Sequence, residues 1–372
     1  MAIPTPEEIC CRKSAVDTTN TLICSAIGRE AICQELHPHV KESGLRYFSG
    51  LSFFSFGLCI ARPGALVSSQ LSAGIIASRP LLLYYGFMNL AKAFILTLGQ
   101  QPTFNQAHHG LAECLRPPSR ELENAFLKAH VSPSRRTGAL NLFDEFLKAA
   151  TGSGLPSDRD FDLPNLLPQI VPGHRLWAQA MEVSERFVAV HGIQFNEDTT
   201  AKQIWLRFDI FADDLSRLGI THSKLLRESR LVGKFREVRT QERVGGRRLV
   251  RFEQVQPRSY THRPSDAVPS LVADIKHFLW ATVASVPPYR RYYVYVAPIA
   301  EHPQVLPQLL SIYAITYYLG SITRYRPHHF DAIVRSPMGP RIEEFISGQP
   351  LQFIYLMASQ FAEQEITKPS IV

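Results

Sequence analysis

The stretch KFREVRTQERVGGRRLVRFEQV, Lys234–Val255, decides how the chain divides. Two runs of alternating character flank Gly245-Gly246, a pair that tolerates the positive φ angles of a tight hairpin turn, so the spacing predicts a β-hairpin. Its charge is lopsided. Lys234, Arg236, Arg239, Arg243, Arg247, Arg248 and Arg251 stand against Glu237, Glu242 and Glu253, a surplus of four positive charges. A two-stranded ribbon with arginines can track a phosphate backbone, which makes Arg239, Arg243, Arg247 and Arg248 candidate nucleic-acid-binding residues. Alternation sends neighbours to opposite faces, so a solvated edge ribbon is the competing reading.

Upstream of the hairpin, ERFVAVHGIQF and KQIWLRFDIFA mix β-branched, aromatic and alternating polar residues in the manner of half-exposed strands. Residues 151–168, rich in Gly, Ser, Asp and Pro, mark the boundary before them. On either side the patterns are helical. RPLLLYYGFMNLAKAFILTL, Arg79–Leu98, is apolar almost all round, with Pro80 where a helix can begin and Gly99 where it closes. Its polar residues Tyr85, Asn89 and Lys92 are four and three apart, one narrow line on an apolar cylinder. Shorter helices are expected near 107–115, at 119–130 and at 138–150. Helical patterns return at 269–283 and 304–322, and an amphipathic segment at 339–365 is interrupted near Gly348 and Pro350. The expected architecture is α+β, a mostly helical bundle split by an inserted antiparallel β-sheet. The divisions are 1–45 as an accessory arm, 46–150 and 269–372 as the two halves of the helical core, and 151–268 as the strand-rich insert.

A chain of 372 residues with 45% hydrophobic and 20% charged residues has the composition of a folded protein. Net charge +7 and a pI of about 9.1 favour acidic partners, although many proteins with this balance bind no nucleic acid. The six cysteines all fall in the first third and include no C-x-x-C pair. Cys24, Cys33, His37 and His39 match no common zinc spacing, so free thiols and no metal are expected. The N-terminus lacks an apolar run before a cleavage site, and the charge-free stretch 302–323 is interrupted by Pro303 and Pro307. A cytoplasmic protein with no membrane span is the expectation. No G-x-S-x-G elbow, Walker A loop, H-E-x-x-H helix or G-x-G-x-x-G turn is present, which argues against a nucleotide-driven motor or an ordinary serine hydrolase.

The densest chemical cluster is SITRYRPHHFDAI, with Arg324, Arg326, His328 and His329 inside six residues. Arginine stabilises phosphate charge and histidine moves protons near neutral pH, a combination suited to phosphodiester cleavage. The plainer reading has both arginines capping a helix C-terminus that Pro327 ends. His108 and His109 have no neighbouring carboxylate in sequence and can simply shape the loop before Gly110.

The runs LLLYYGFMNLAKAFIL, HHGL, TGALNLFDEF, YYLGSITRYRPHHFDAIVRSP and LQFIYLMASQF resemble the bacterial YaaC-like family from about 79 to 362. More loosely, YYGFMNLAKAFIL followed by HHGL resembles the first helix pair of HEPN domains, helical bundles that often dimerise and in many cases cleave RNA without metal. Those domains carry an Arg, then four to six residues, then a His, and Arg324 and His329 meet that spacing with four between. Tyr325 stands where the pattern has a small polar residue, and Pro327 interrupts the helix.

The resemblance implies a HEPN-like bundle and a metal-independent ribonuclease in bacterial defence or stress, acting as a homodimer without cofactor. Arg324 would steady the scissile phosphate and His329 would move the proton, with Arg326 and His328 contacting the nucleic acid. Tyr85, Asn89, Lys92 and His109 would form a polar seam beside them. The alternative is a non-catalytic interaction or assembly protein that binds a partner protein, with the arginines as structural donors. Burial of Arg324 and His329 separates the two readings.

Overall fold

The structure is a computed structural model that describes residues 69–98, 107–116, 124–134, 137–275, 279–283, 290–297 and 305–362. The proposed arm at 1–45, the cysteine and histidine group within it and Gly99 lie outside these residues.

The chain begins with α1 (Ser69–Thr97), then β1 (Ala107–His108), β2 (Leu111–Leu115), β3 (Ala125–Ala129), β4 (Leu140–Asn141), α2 (Leu142–Thr151), β5 (Arg159–Asp162), α3 (Leu163–Leu166) and α4 (His174–Ala180). There follow β6 (Phe187–Val190), β7 (Gly192–Asp198), β8 (Gln203–Phe211), α5 (Ala212–Arg217), α6 (His222–Glu228), β9 (Phe235–Val238), β10 (Arg243–Val244), β11 (Arg247–Gln254), β12 (Arg258–Ser259), α7 (Val268–Ile275), β13 (Leu279–Val283) and β14 (Arg290–Tyr295). Three helices close it, α8 (Gln308–Tyr325), α9 (Pro327–Arg335) and α10 (Gly339–Phe361). Two compact units result, one from residues up to Ala180 together with Gln308 onward, the other Met181–Pro307.

In the first unit α1 packs along α8 and α10. Its apolar circumference is consistent with this, because a helix with neighbours on several sides has no face to leave polar. Phe87 stacks on Phe353 at 3.7 Å between centroids, and Phe94 meets Phe361 edge-on at 5.3 Å. Each such ring contributes about 1.5–3 kcal/mol by leaving water. Backbones come close where Gly320 of α8 faces Pro80 of α1. A Cβ on Gly320 would sit 3.1 Å from the Pro80 carbonyl oxygen. The helix starts well before Pro80, which lies inside it rather than at its N-terminus. Ser78–Thr97 is long and apolar enough to cross a membrane, and most of it is buried in the fold. α10 likewise runs unbroken through Gly348 and Pro350.

Two of the expected helices are strands. Residues 107–115 contribute β1 and β2, and 125–129 within 119–130 form β3, which pairs antiparallel with β2 and with β5. In β3 Ala125, Leu127 and Ala129 are buried while Lys128 is exposed, the period of two that a strand with one buried face requires. The two-stranded β1-β4 pair is parallel. The second half of 269–283 is strand β13, not helix.

The second unit is built on a six-stranded antiparallel sheet, with β8 between β7 on one side and β11 and β12 on the other, and β9 and β10 added to β11. A three-stranded sheet, β13-β14-β6, accompanies it. Leu206, Phe208, Ile210, Val250 and Phe252 supply the buried side chains of the central strands. The Gly245-Gly246 turn is present, with φ of +57° and +80°, and sets Val244 opposite Arg247. Only the two residues of β10 form the first arm. Phe235–Val238 pairs farther along β11 as a separate strand.

The mostly helical, HEPN-like bundle with one inserted sheet is therefore corrected. The described residues are about 48% helix and 24% strand, in four sheets of two, six, three and three strands. Non-local pairing made the difference, since short strands in the first unit find partners that local periodicity does not reveal.

Candidate functional site

α8 ends at Tyr325, and Pro327 at the first turn of α9 starts a new helix where its missing N–H costs nothing. The bend between them exposes Arg324, Tyr325, Arg326 and His328 and turns His329 inward. Tyr325 is 64% exposed, whereas His329 is 2% exposed. The Arg324 guanidinium lies 5.0 Å from the Tyr325 ring centroid, and Arg324 Nη1 donates to the Tyr85 hydroxyl at 3.0 Å. His329 Nε2 shares a 2.6 Å hydrogen bond with the buried Tyr318 hydroxyl, and the His329 backbone N–H donates to the Arg326 carbonyl at 2.9 Å. The two residues of the expected catalytic pair thus differ in environment, one meeting solvent and the other enclosed.

Behind the bend lies a cluster of aromatic hydroxyls. The Tyr84 hydroxyl and His109 Nδ1 share a 2.5 Å hydrogen bond. His109 has considerable exposure as a residue, but its ring lies against Tyr84 and Tyr317 at 5.4 and 5.8 Å. The Tyr317 hydroxyl donates to the Leu111 carbonyl at 2.7 Å, tying α8 to β2. Burial raises the phenol pKa values of Tyr84, Tyr313, Tyr317 and Tyr318, so all four remain protonated at neutral pH. Burial, and next the positive charge of Lys92, lowers the His109 pKa. Lys92 is itself lowered by burial. A neutral imidazole accepting from a phenol is the favoured state at neutral pH.

The polar line Tyr85, Asn89 and Lys92 lies half-buried on α1. Tyr85 reaches Arg324, while the partner of His109 is the neighbouring Tyr84, which the line did not include. Tyr313, Tyr317 and Tyr318 were also missed. Their one sequence signal is the recurrence of tyrosine in an otherwise apolar α8. Among the described residues no group of three or more His, Cys, Asp or Glu is placed to hold a metal ion.

The arginines of the basic ribbon separate into two groups in the second unit. Arg247 stacks 3.8 Å over the Phe211 ring and pairs with Asp213 and Asp214 at 3.1 and 3.0 Å. Arg251 pairs with Asp209 at 3.0 Å and with Glu242 at 2.5 Å. Arg243 donates to the Gly246 carbonyl across the turn. Arg239 and Arg248 are exposed and form no ion pair among the described residues. Arg247 is thus largely compensated within the fold, and the ribbon's available charge is smaller than its composition suggests.

A family model described as YaaC-like protein matches residues 64–361. The chain belongs to the YaaC-like family. Neither the curated proteins nor the solved structures give a match.

Proposed function

We propose that this YaaC-like protein is a nucleic-acid-associated binding protein that engages single-stranded RNA at the bend between α8 and α9, without cutting it there. The supporting observation is the pairing of an exposed Tyr325 with flanking Arg324 and Arg326, while His329 is withdrawn. An exposed aromatic ring offers a stacking platform to any base, and arginines beside it neutralise adjacent phosphates. Cleavage of a phosphodiester needs the arginine and the proton-transfer group to meet the same phosphate. A histidine enclosed against Tyr318 does not meet one at the surface. The reading places the protein in the cytoplasm, where RNA is available to it.

Fluorescence anisotropy with a labelled single-stranded RNA tests the proposal, with duplex DNA as comparison. Tyr325→Ala should weaken RNA binding by about 1–3 kcal/mol, the usual range for one base–aromatic stack. Arg326→Ala should weaken it and reduce the slope of log affinity against log salt by roughly 0.7, the value for one phosphate of a single strand. Binding that is absent, or unchanged in Tyr325→Ala, overturns the proposal. RNA fragmentation by the wild type that Arg324→Ala and His329→Ala both abolish would restore the nuclease reading.

A further inference from the structure

The second unit contains a cleft of about 400 Å3 that the bend between α8 and α9 does not involve. Arg239, just past the end of β9, and Arg248, near the start of β11, line it together with Thr240, Gln241, His222 and Glu237. Buried Leu249 and Val250 contribute its apolar part. His222 Nδ1 and Glu237 Oε1 are 2.9 Å apart, so the single acidic lining residue is engaged by its histidine neighbour. Neither Arg239 nor Arg248 has an ion-pair partner among the described residues, although Arg247 and Arg251 on the same strand are paired with carboxylates.

Two guanidinium groups without carboxylate partners, in a concavity lined by a hydroxyl, an amide and an imidazole, make up a donor set for an anion. Arginine's fixed fork matches phosphate oxygens, and concave walls of low dielectric concentrate the positive potential. The volume falls within the range of small-molecule sites and fits a ligand of nucleotide size. We infer that this cleft binds a phosphate-bearing small molecule of mononucleotide size, with Arg239 and Arg248 as the phosphate ligands. This inference stands on residues separate from the proposed RNA-binding bend and does not depend on it.

Isothermal titration of the full chain with inorganic phosphate and with AMP tests it. Both should bind, AMP more tightly because its nucleoside fills more of the cleft. Arg239→Gln and Arg248→Gln should each weaken AMP binding by about tenfold, the effect of losing one charge-assisted hydrogen bond. Arg239→Lys should recover part of the loss, since it restores charge without the fork. Arg263→Gln, an exposed position outside the cleft lining, should bind as the wild type does. Circular dichroism and melting temperature confirm that each variant is folded. Failure of both probes to bind at millimolar concentration overturns the inference, as does AMP binding that is equal in wild type, Arg239→Gln and Arg248→Gln. A site that responds to these two substitutions with a single-stranded oligonucleotide but takes neither phosphate nor AMP would also overturn it, because the ligand would then be a polymer.

Discussion

Replacing His329 with alanine should unfold the protein more readily without removing a catalytic group. The Tyr318 hydroxyl, buried and bonded to His329 Nε2 at 2.6 Å, would lose that partner. An orphaned buried hydroxyl costs about 1–3 kcal/mol. The vacated ring space adds a cost of roughly 2 kcal/mol, the low end of the range for truncating large buried side chains. Together they predict a loss of at least about 3 kcal/mol for His329→Ala. Tyr318→Phe, which removes one hydroxyl but keeps the ring, should lose about 1–2 kcal/mol. The double variant should fall short of the sum by about 1 kcal/mol or more, because the two single changes break the same bond. Arg324→Ala provides the contrast. Its side chain is exposed and its hydrogen bond to Tyr85 reaches the surface, so the expected loss is at most about 1 kcal/mol. Urea denaturation followed by circular dichroism measures all four. A stability change within about 0.5 kcal/mol for His329→Ala, the range of an ordinary surface substitution, would refute the structural role assigned to it.

Gly320→Ala should destabilise the first unit by about 1–3 kcal/mol, since the added methyl meets the Pro80 carbonyl and the neighbouring Leu81 backbone rather than a yielding side chain. Thermal unfolding checks this. Glu344→Ala should cost about 3–5 kcal/mol in urea denaturation, because its partner Arg341 is 0% exposed and would keep a buried charge with the Leu167 carbonyl as its remaining hydrogen-bond acceptor among the described residues. His109 makes stability depend on pH in a defined direction. Its pKa is lowered on folding, so the unfolded chain takes up the proton first as pH falls below the ordinary histidine value of 6.5. The contribution is complete above that value and is lost as pH falls through the lower folded value. Urea titrations at several pH values should show a shallower decline in His109→Gln than in the wild type.

The strands around β8 and the Gly-Gly turn were readable because both signals are local. Alternation runs through Gln203–Phe211, and two adjacent glycines at positive φ define a hairpin turn with no reference to the rest of the chain. The first unit was less readable. ENAFLKAH satisfies a helical spacing, but Ala125, Leu127 and Ala129 also alternate, and the choice was made by β2 and β5, which lie on either side of it in the sheet. Pro80 read as a helix start because proline cannot donate a backbone hydrogen bond. Burial against α8 at Gly320 lets α1 continue through it. The site shows the same split. Arg324 and Tyr85 could be singled out by residue type and spacing, whereas the hydroxyl partners of His109 and His329 sit 25 and 11 residues away on packed helices.

The net charge of +7 suggests a broadly basic surface, but charge counted in sequence is not charge available to a ligand. Arg247 and Arg251 look equivalent to Arg248 in the string RRLVR, yet they face Asp213, Asp214, Asp209 and Glu242, and each of those pairs neutralises a cation before any partner arrives. Such compensation costs binding capacity and gives rigidity, because a bidentate arginine with stacked Phe211 holds α5 against β11. Among the cations that form no ion pair within the described residues are Arg239 and Arg248 at the cleft and Arg324 and Arg326 at the bend, all four exposed. The cleft is concave and suits a compact phosphate compound, while the bend carries an exposed ring and suits a flexible strand whose bases can stack. With a compact phosphate compound proposed for the cleft and single-stranded RNA for the bend, substitutions in one should leave binding at the other unchanged.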